Sequence, residues 1–176
     1  MSEKKKVKVV LDADVIIHFA KAGKLYELPS ILPEFQFVVL DVVKMELSTI
    51  ILSILNKMMT RDKTLIEAQF GCTQVEIKEF ARLTASDGLG LGRGESACMV
   101  YCLYHKDVLG SSNLKDIHNY CEEKGITYLT TLDFLYYAIQ RGKMTKAEAE
   151  SFVQTVMNGG SRLPDVDFDK YVCAKI

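Results

Sequence analysis

Hydrophobic positions come in two kinds of run that alternate along the whole chain. Val7–Leu11 is apolar almost throughout, as expected of a strand covered on both faces, and Asp12 stops it abruptly. Asp14–Ala22 then carries Val15, Ile16 and Phe19 at helical spacing and closes at Gly23, and a second short helix is expected over Lys24–Leu32, before Pro33. Phe35–Leu40 repeats the strand signal. Asp41 can cap the next element, and Val42–Met59 reads as one helix with Ile50, Ile51, Ile54, Leu55, Met58 and Met59 in a broad stripe. A stripe of that width suits a core-facing helix, with a dimer surface as its second use.

Thr73–Ile77 alternates and reads as a short strand. The segment Ser86–Glu95 spends four glycines in a loop that feeds a helix over Ser96–Tyr104. Asp107–Gly110 is a brief strand, a helix from Asn113 to Lys124 ends at Gly125, and Ile126–Thr130 is another strand. Thr130 or Thr131 caps a helix reaching Arg141, and Thr145 with Glu148 forms a capping box for a last helix to about Met157. This alternation predicts a three-layer α/β/α fold around a central parallel sheet of about five strands, with function at the carboxyl ends of the strands. The 176 residues read as a single domain, with a core over about 7–158 and an irregular tail over 159–176.

Composition narrows the classes. Hydrophobic residues at 48% and charged residues at 26% are ordinary globular values. The basic start, with Lys4, Lys5, Lys6 and Lys8, runs straight into the first strand and its acids, unlike a secretory signal, and reads as a solvated tail. No apolar run approaches the roughly 18 residues a membrane helix needs, so a cytoplasmic chain without membrane partners is expected. The cysteines (Cys72, Cys98, Cys102, Cys121, Cys173) are odd in number and contain no CxxC pair, which argues against a disulfide framework or a zinc knuckle. Cys98 and Cys102 read as a buried helix face. A net charge of −1 gives no global attraction to phosphate backbones.

Chemistry then rests on acids. Asp12 ends the first strand, where open α/β sheets bind ligands, and Asp14 is a secondary candidate that also suits helix capping. Glu46 lies on the helix expected after the second strand, within LDVVKMEL, so its first turns meet Asp12 over one crevice if the two strands are neighbours. Glu95 closes Gly92-Arg93-Gly94-Glu95, where glycines permit close backbone approach, although complementing a helix N-terminus would equally explain it. His18, His105 and His118 share no metal-ligand spacing and read as interface or solvent residues, and no GxSxG, P-loop or Rossmann glycine pattern is present.

Taken together, VVLDADVII, LDVVKMEL with Glu46, GRGESACMV with Glu95 and the DVLGSSNLKDIHNYCEEKGITYLTTLDFLYYAIQRGKM segment resemble the PIN-domain family, which includes VapC-like toxin ribonucleases, over Val9 to about Gly142. The resemblance implies that Asp12, Glu46 and Glu95 are catalytic and hold Mg2+ or Mn2+ for hydrolysis of RNA. It also implies an antitoxin partner and a homodimer. It departs after the fourth strand, where an aspartate is usual and this chain has Ser111-Ser112-Asn113. These residues, or Asp116 one turn later, are the candidate substitutes. A PIN-like RNA- or partner-binding protein with weakened catalysis is the alternative this departure raises. LDADVII also matches a haloacid dehalogenase-like phosphatase, with Asp12 as nucleophile and Asp14 as acid/base.

Overall fold

The apolar runs become strands that lie side by side. The computed structural model describes residues 6–85 and 87–176. Lys4 and Lys5 of the basic run, and Ser86 of the glycine-rich loop, lie outside the described residues. β1 (Lys8–Leu11) is central, flanked by β2 (Gln36–Leu40) and β4 (Val108–Gly110), with β3 (Leu65–Ala68) and β5 (Tyr128–Leu129) at the edges. Every pairing is parallel, and Leu11 at the end of β1 stands beside both Val39 and Gly110. Val9, Val10, Leu11 and Phe37–Leu40 are all buried, so both faces of the central strands are covered.

Helices form the covering layers. On one side α6 (Arg93–His105) packs on β1 and β2, with α3 (Asp41–Lys44), α5 (Gln74–Thr84) and α7 (Leu114–Lys124) beside it. α6 is buried almost all round, which is why its sequence shows no polar stripe. The other group is α1 (Ala13–Lys21), α2 (Leu28–Ile31), α8 (Thr131–Gln140) and α9 (Lys146–Asn158). Phe19 of α1 meets Phe134 of α8 and Phe152 of α9 edge-on, at 6.2 and 4.8 Å between ring centroids. Residues 159–176 run without helix or strand. Cys98 and Cys102 are buried in the core. Among the described residues no helix is long and apolar enough to cross a membrane.

Two local expectations are corrected. Thr73–Ile77 is the cap and first turn of α5, not a strand: Thr73 Oγ1 accepts the Glu76 N–H at 3.3 Å and the Glu76 carboxylate accepts the Thr73 N–H at 3.2 Å. That reciprocal cap outweighs a few residues of alternation. The strand in this region is β3, whose Ile66 is exposed on an edge, so its four residues carried too weak a pattern to be noticed. The helix expected over Val42–Met59 is broken. It stops after α3, turns at Met45–Leu47, and restarts as α4 (Thr49–Lys57), which Ser48 caps by accepting the Ile51 N–H, before a wide π-type turn at Met58–Asp62. Its stripe divides accordingly: Leu55 and Met58 are buried, while Ile50 is 75% exposed.

Candidate metal centre

The carboxyl ends of the central strands deliver the first acids. Asp12 leaves β1 with its backbone N–H donated to the Gly110 carbonyl (2.8 Å), and its Oδ1 accepts the Ala13 N–H (2.8 Å), capping α1. Asp14 sits in the first turn, where its Oδ1 accepts the Val15 N–H at 2.7 Å. Across the β1–β4 junction, Ser111 donates its hydroxyl to Asp12 Oδ2 (3.2 Å) and the Ser112 N–H donates to Asp14 Oδ2 (2.8 Å). The neutral run after β4 therefore acts on the two aspartates directly.

Glu46 reaches the same place from a turn between α3 and α4, not from a helix, which corrects the sequence expectation. Its Oε1 accepts the Gly94 N–H at 2.9 Å, inside the first turn of α6, whose cap residue Gly92 offers no side chain. Where its own helix breaks, Glu46 caps a different one. A Cβ at position 94 would stand 2.6 Å from that oxygen, so glycine is required for the approach. Glu95 follows in the same turn.

These acids converge. A cavity of about 320 Å³ is lined by Asp12, Asp14, Glu46, Glu95 and Asp116, with Asn113 among them and, among the described residues, no Lys or Arg in its lining. Arg93 is turned away over the Phe80 ring, 5.6 Å from its centroid. Asp116 is held by the Asn113 amide, which donates to its Oδ2 at 2.8 Å. Of the four candidates to replace the missing acid, Asn113 and Asp116 thus line the cavity, Ser111 is buried against Asp12, and Ser112 turns toward α8.

Uncompensated negative charge governs the electrostatics. Burial, then the Asp14 and Glu46 carboxylates, push the Asp12 carboxyl up to about 7, against hydrogen bonds from Ala13 and Ser111 that favour the anion. Burial, then Asp12 and Asp116, push Glu95 up to about 8. Asp14 is also raised, by burial first. Such an arrangement repels itself at neutral pH unless protons or a cation intervene.

Two residues behind the site were not anticipated as its supports. The Ser112 hydroxyl donates to Thr131 Oγ1 (2.8 Å) and accepts the Thr131 N–H (2.7 Å), and Thr131 Oγ1 in turn meets His18 Nδ1 at 2.8 Å. His18 is buried, not at an interface or in solvent, and burial pushes its pKa down to about 4, so the ring is neutral. Its place four residues after Asp14 on α1 was the available signal. His105 pairs instead with Glu76 (2.9 Å) and His118 with the Tyr128 hydroxyl (2.9 Å).

Fold and cavity together define a parallel α/β protein with an acid-lined cleft at the carboxyl ends of its strands. No family model matches the chain, and no curated protein matches it. Among solved structures it is similar to a PilT N-terminus domain protein from the hyperthermophilic archaeon Sulfolobus solfataricus P2, at 17% identity and a TM-score of 0.44, over 72% of this chain and 89% of that one.

Proposed function

We propose that this chain is a metal-dependent nuclease of the PIN type that hydrolyses RNA phosphodiester bonds, with Mg2+ or Mn2+ as its cofactor. The observation that carries this reading is the set of five carboxylates lining one cavity with no basic residue beside them among the described residues. The donors are all hard oxygen, which is what these cations take, and the raised Asp12 and Glu95 mark charge that a cation would relieve. Asp12, Asp14, Glu46, Glu95 and Asp116 are the candidate ligands, with Asp116 serving for the acid that Ser111-Ser112-Asn113 lacks, and they would have to draw closer together to share one ion. A bound cation would supply an activated water and neutralise phosphate charge. The chain's own hydrogen bonds to Asp12, Asp14 and Glu46 fix those carboxylates while each oxygen keeps a further lone pair.

A second reading, a PIN-like RNA- or partner-binding protein with weakened catalysis, is favoured by one observation. Among the described residues no three His, Cys, Asp or Glu side chains stand close enough to hold an ion together. The phosphatase reading has less support, since it leaves Glu46, Glu95 and Asp116 without roles in a cavity they share with Asp12. The test is cleavage of single-stranded RNA across a Mn2+ titration. Cleavage that disappears in both Asp12→Asn and Glu95→Gln is expected. Cleavage that persists in those variants, or is absent from the wild type at every metal concentration, sinks the nuclease and leaves the binding protein. A toxin role with an antitoxin, and a homodimer, belong to the same proposal. Met45 at 86% exposure and Ile50 at 75% supply apolar surface for such a partner.

A further inference from the structure

A second, smaller cavity of about 180 Å³ opens on the same rim of the sheet, across the segment after β4. That segment is a shared wall: Asn113 and Asp116 face the acids, while Ser112 and Leu114 line the second cavity. Tyr128 and Leu132 close it from β5 and α8, and Leu163, Val166 and Tyr171 of the tail cover the remaining side. Its surface is mostly carbon. The tail wall is fixed because Tyr171 donates its hydroxyl to the buried Asp133 carboxylate (2.7 Å) and Lys175 pairs with the same group (2.8 Å). The Lys175 amine also lies over the Tyr128 ring, 4.2 Å from its centroid.

The electrostatics of the neighbouring site call for such a pocket. A cleft lined by five acids, on a chain of net charge −1, cannot draw its affinity for a polyanion from phosphate contacts. The alternative source is contact with the bases, which stack on aromatic and apolar surface whatever the backbone charge. The volume lies below the roughly 300–1,000 Å³ of sites for drug-sized ligands, so it has room for one ring system and not for a length of chain. We propose that the cavity between Leu114, Tyr128, Val166 and Tyr171 takes a single nucleobase of a single-stranded RNA whose backbone crosses the acidic cavity. This rests on the nuclease reading and names how its substrate is held.

The experiment is an abasic scan. A short fluorescein-labelled single-stranded RNA, with one abasic ribose moved along it, is titrated with Asp12→Asn protein in Mg2+ so that the RNA stays intact. One abasic position is expected to weaken binding roughly 5- to 100-fold, the others far less. Filling the cavity by Val166→Trp, or placing charge at its exposed mouth by Leu114→Glu, is expected to abolish that positional difference. Equal losses at every position, or a positional loss that survives in both variants, overturn the proposal. If wild-type protein cleaves RNA with Mn2+ while the abasic profile is flat, the pocket is wrong and the nuclease stands. If no RNA binds or is cut, both fall. A flat profile with a dimer that Leu114→Glu dissociates in sedimentation assigns the cavity to a second copy and overturns it as well.

Discussion

Asp12→Asn should make the metal-free protein more stable, because it removes the most deeply buried charge of a cluster that has no counter-ion among the described residues. Asn keeps an oxygen for the Ala13 N–H and can donate to Ser111 Oγ, so the local bonds survive. What changes is titration. The carboxyl moves from an ordinary 3.8 in the unfolded chain to about 7 in the fold. A folded pKa raised above the unfolded one means that stability is fully present below pH 3.8 and is lost as pH rises through about 7. At ~1.4 kcal/mol per pH unit the gap amounts to at most ~4 kcal/mol by pH 8, part of which is shared with Asp14 and Glu95. We expect Asp12→Asn to gain ~2–4 kcal/mol over wild type at pH 8 in EDTA, or roughly 5–15 °C in Tm, and less than ~1 kcal/mol at pH 4. Urea denaturation at the two pH values measures it. Mn2+ should raise the wild-type midpoint by mass action and leave the variant nearly unmoved. A variant less stable than wild type at pH 8, or a difference that does not shrink toward pH 4, would show that the Asp12 charge is not what destabilises the fold.

Gly94→Ala should cost ~1 kcal/mol or more in urea melts and abolish RNA cleavage, since its Cβ would displace the Glu46 carboxylate that caps α6. Unchanged activity would show that Glu46 is not needed where it stands. Ser112→Ala should lose ~1–3 kcal/mol by leaving the Thr131 N–H without its acceptor, and Ser112→Thr should recover much of it; equal losses in both variants argue against the hydroxyl's role. Burial alone would raise the Asp133 pKa, but bonds from Lys175, Thr130 and Tyr171 hold it below its ordinary value, so its stabilisation is present above that value and is lost as pH falls. Limited proteolysis should therefore cut the tail near Pro164 faster in Asp133→Asn at neutral pH and faster in the wild type near pH 3, and a tail equally resistant in all cases would count against this anchor.

The sequence by itself settled what local patterning can settle. Unbroken apolar runs ending at Leu11, Leu40 and Gly110 were strands because both faces are covered, and Thr145 with Glu148 marked a helix start because a cap is made within four residues. Asp12, Asp14, Glu46 and Glu95 could be singled out by their places after strands and glycines. Their convergence could not, since it depends on β1 lying between β2 and β4, a strand order that no local pattern encodes. The same holds for the break at Glu46: the stripe through Met59 favours one helix, and the bond that Glu46 accepts at the break comes from the N–H of Gly94, distant in sequence. Asp116, one turn into α7, stands in the sequence only as one of four candidate substitutes for the missing acid. It becomes part of the site only because the segment after β4 carries that turn past Asp12 and Glu95. Tertiary structure decided which acids share a cavity, because charge at short range depends on distance in space and a sequence encodes only distance along the chain.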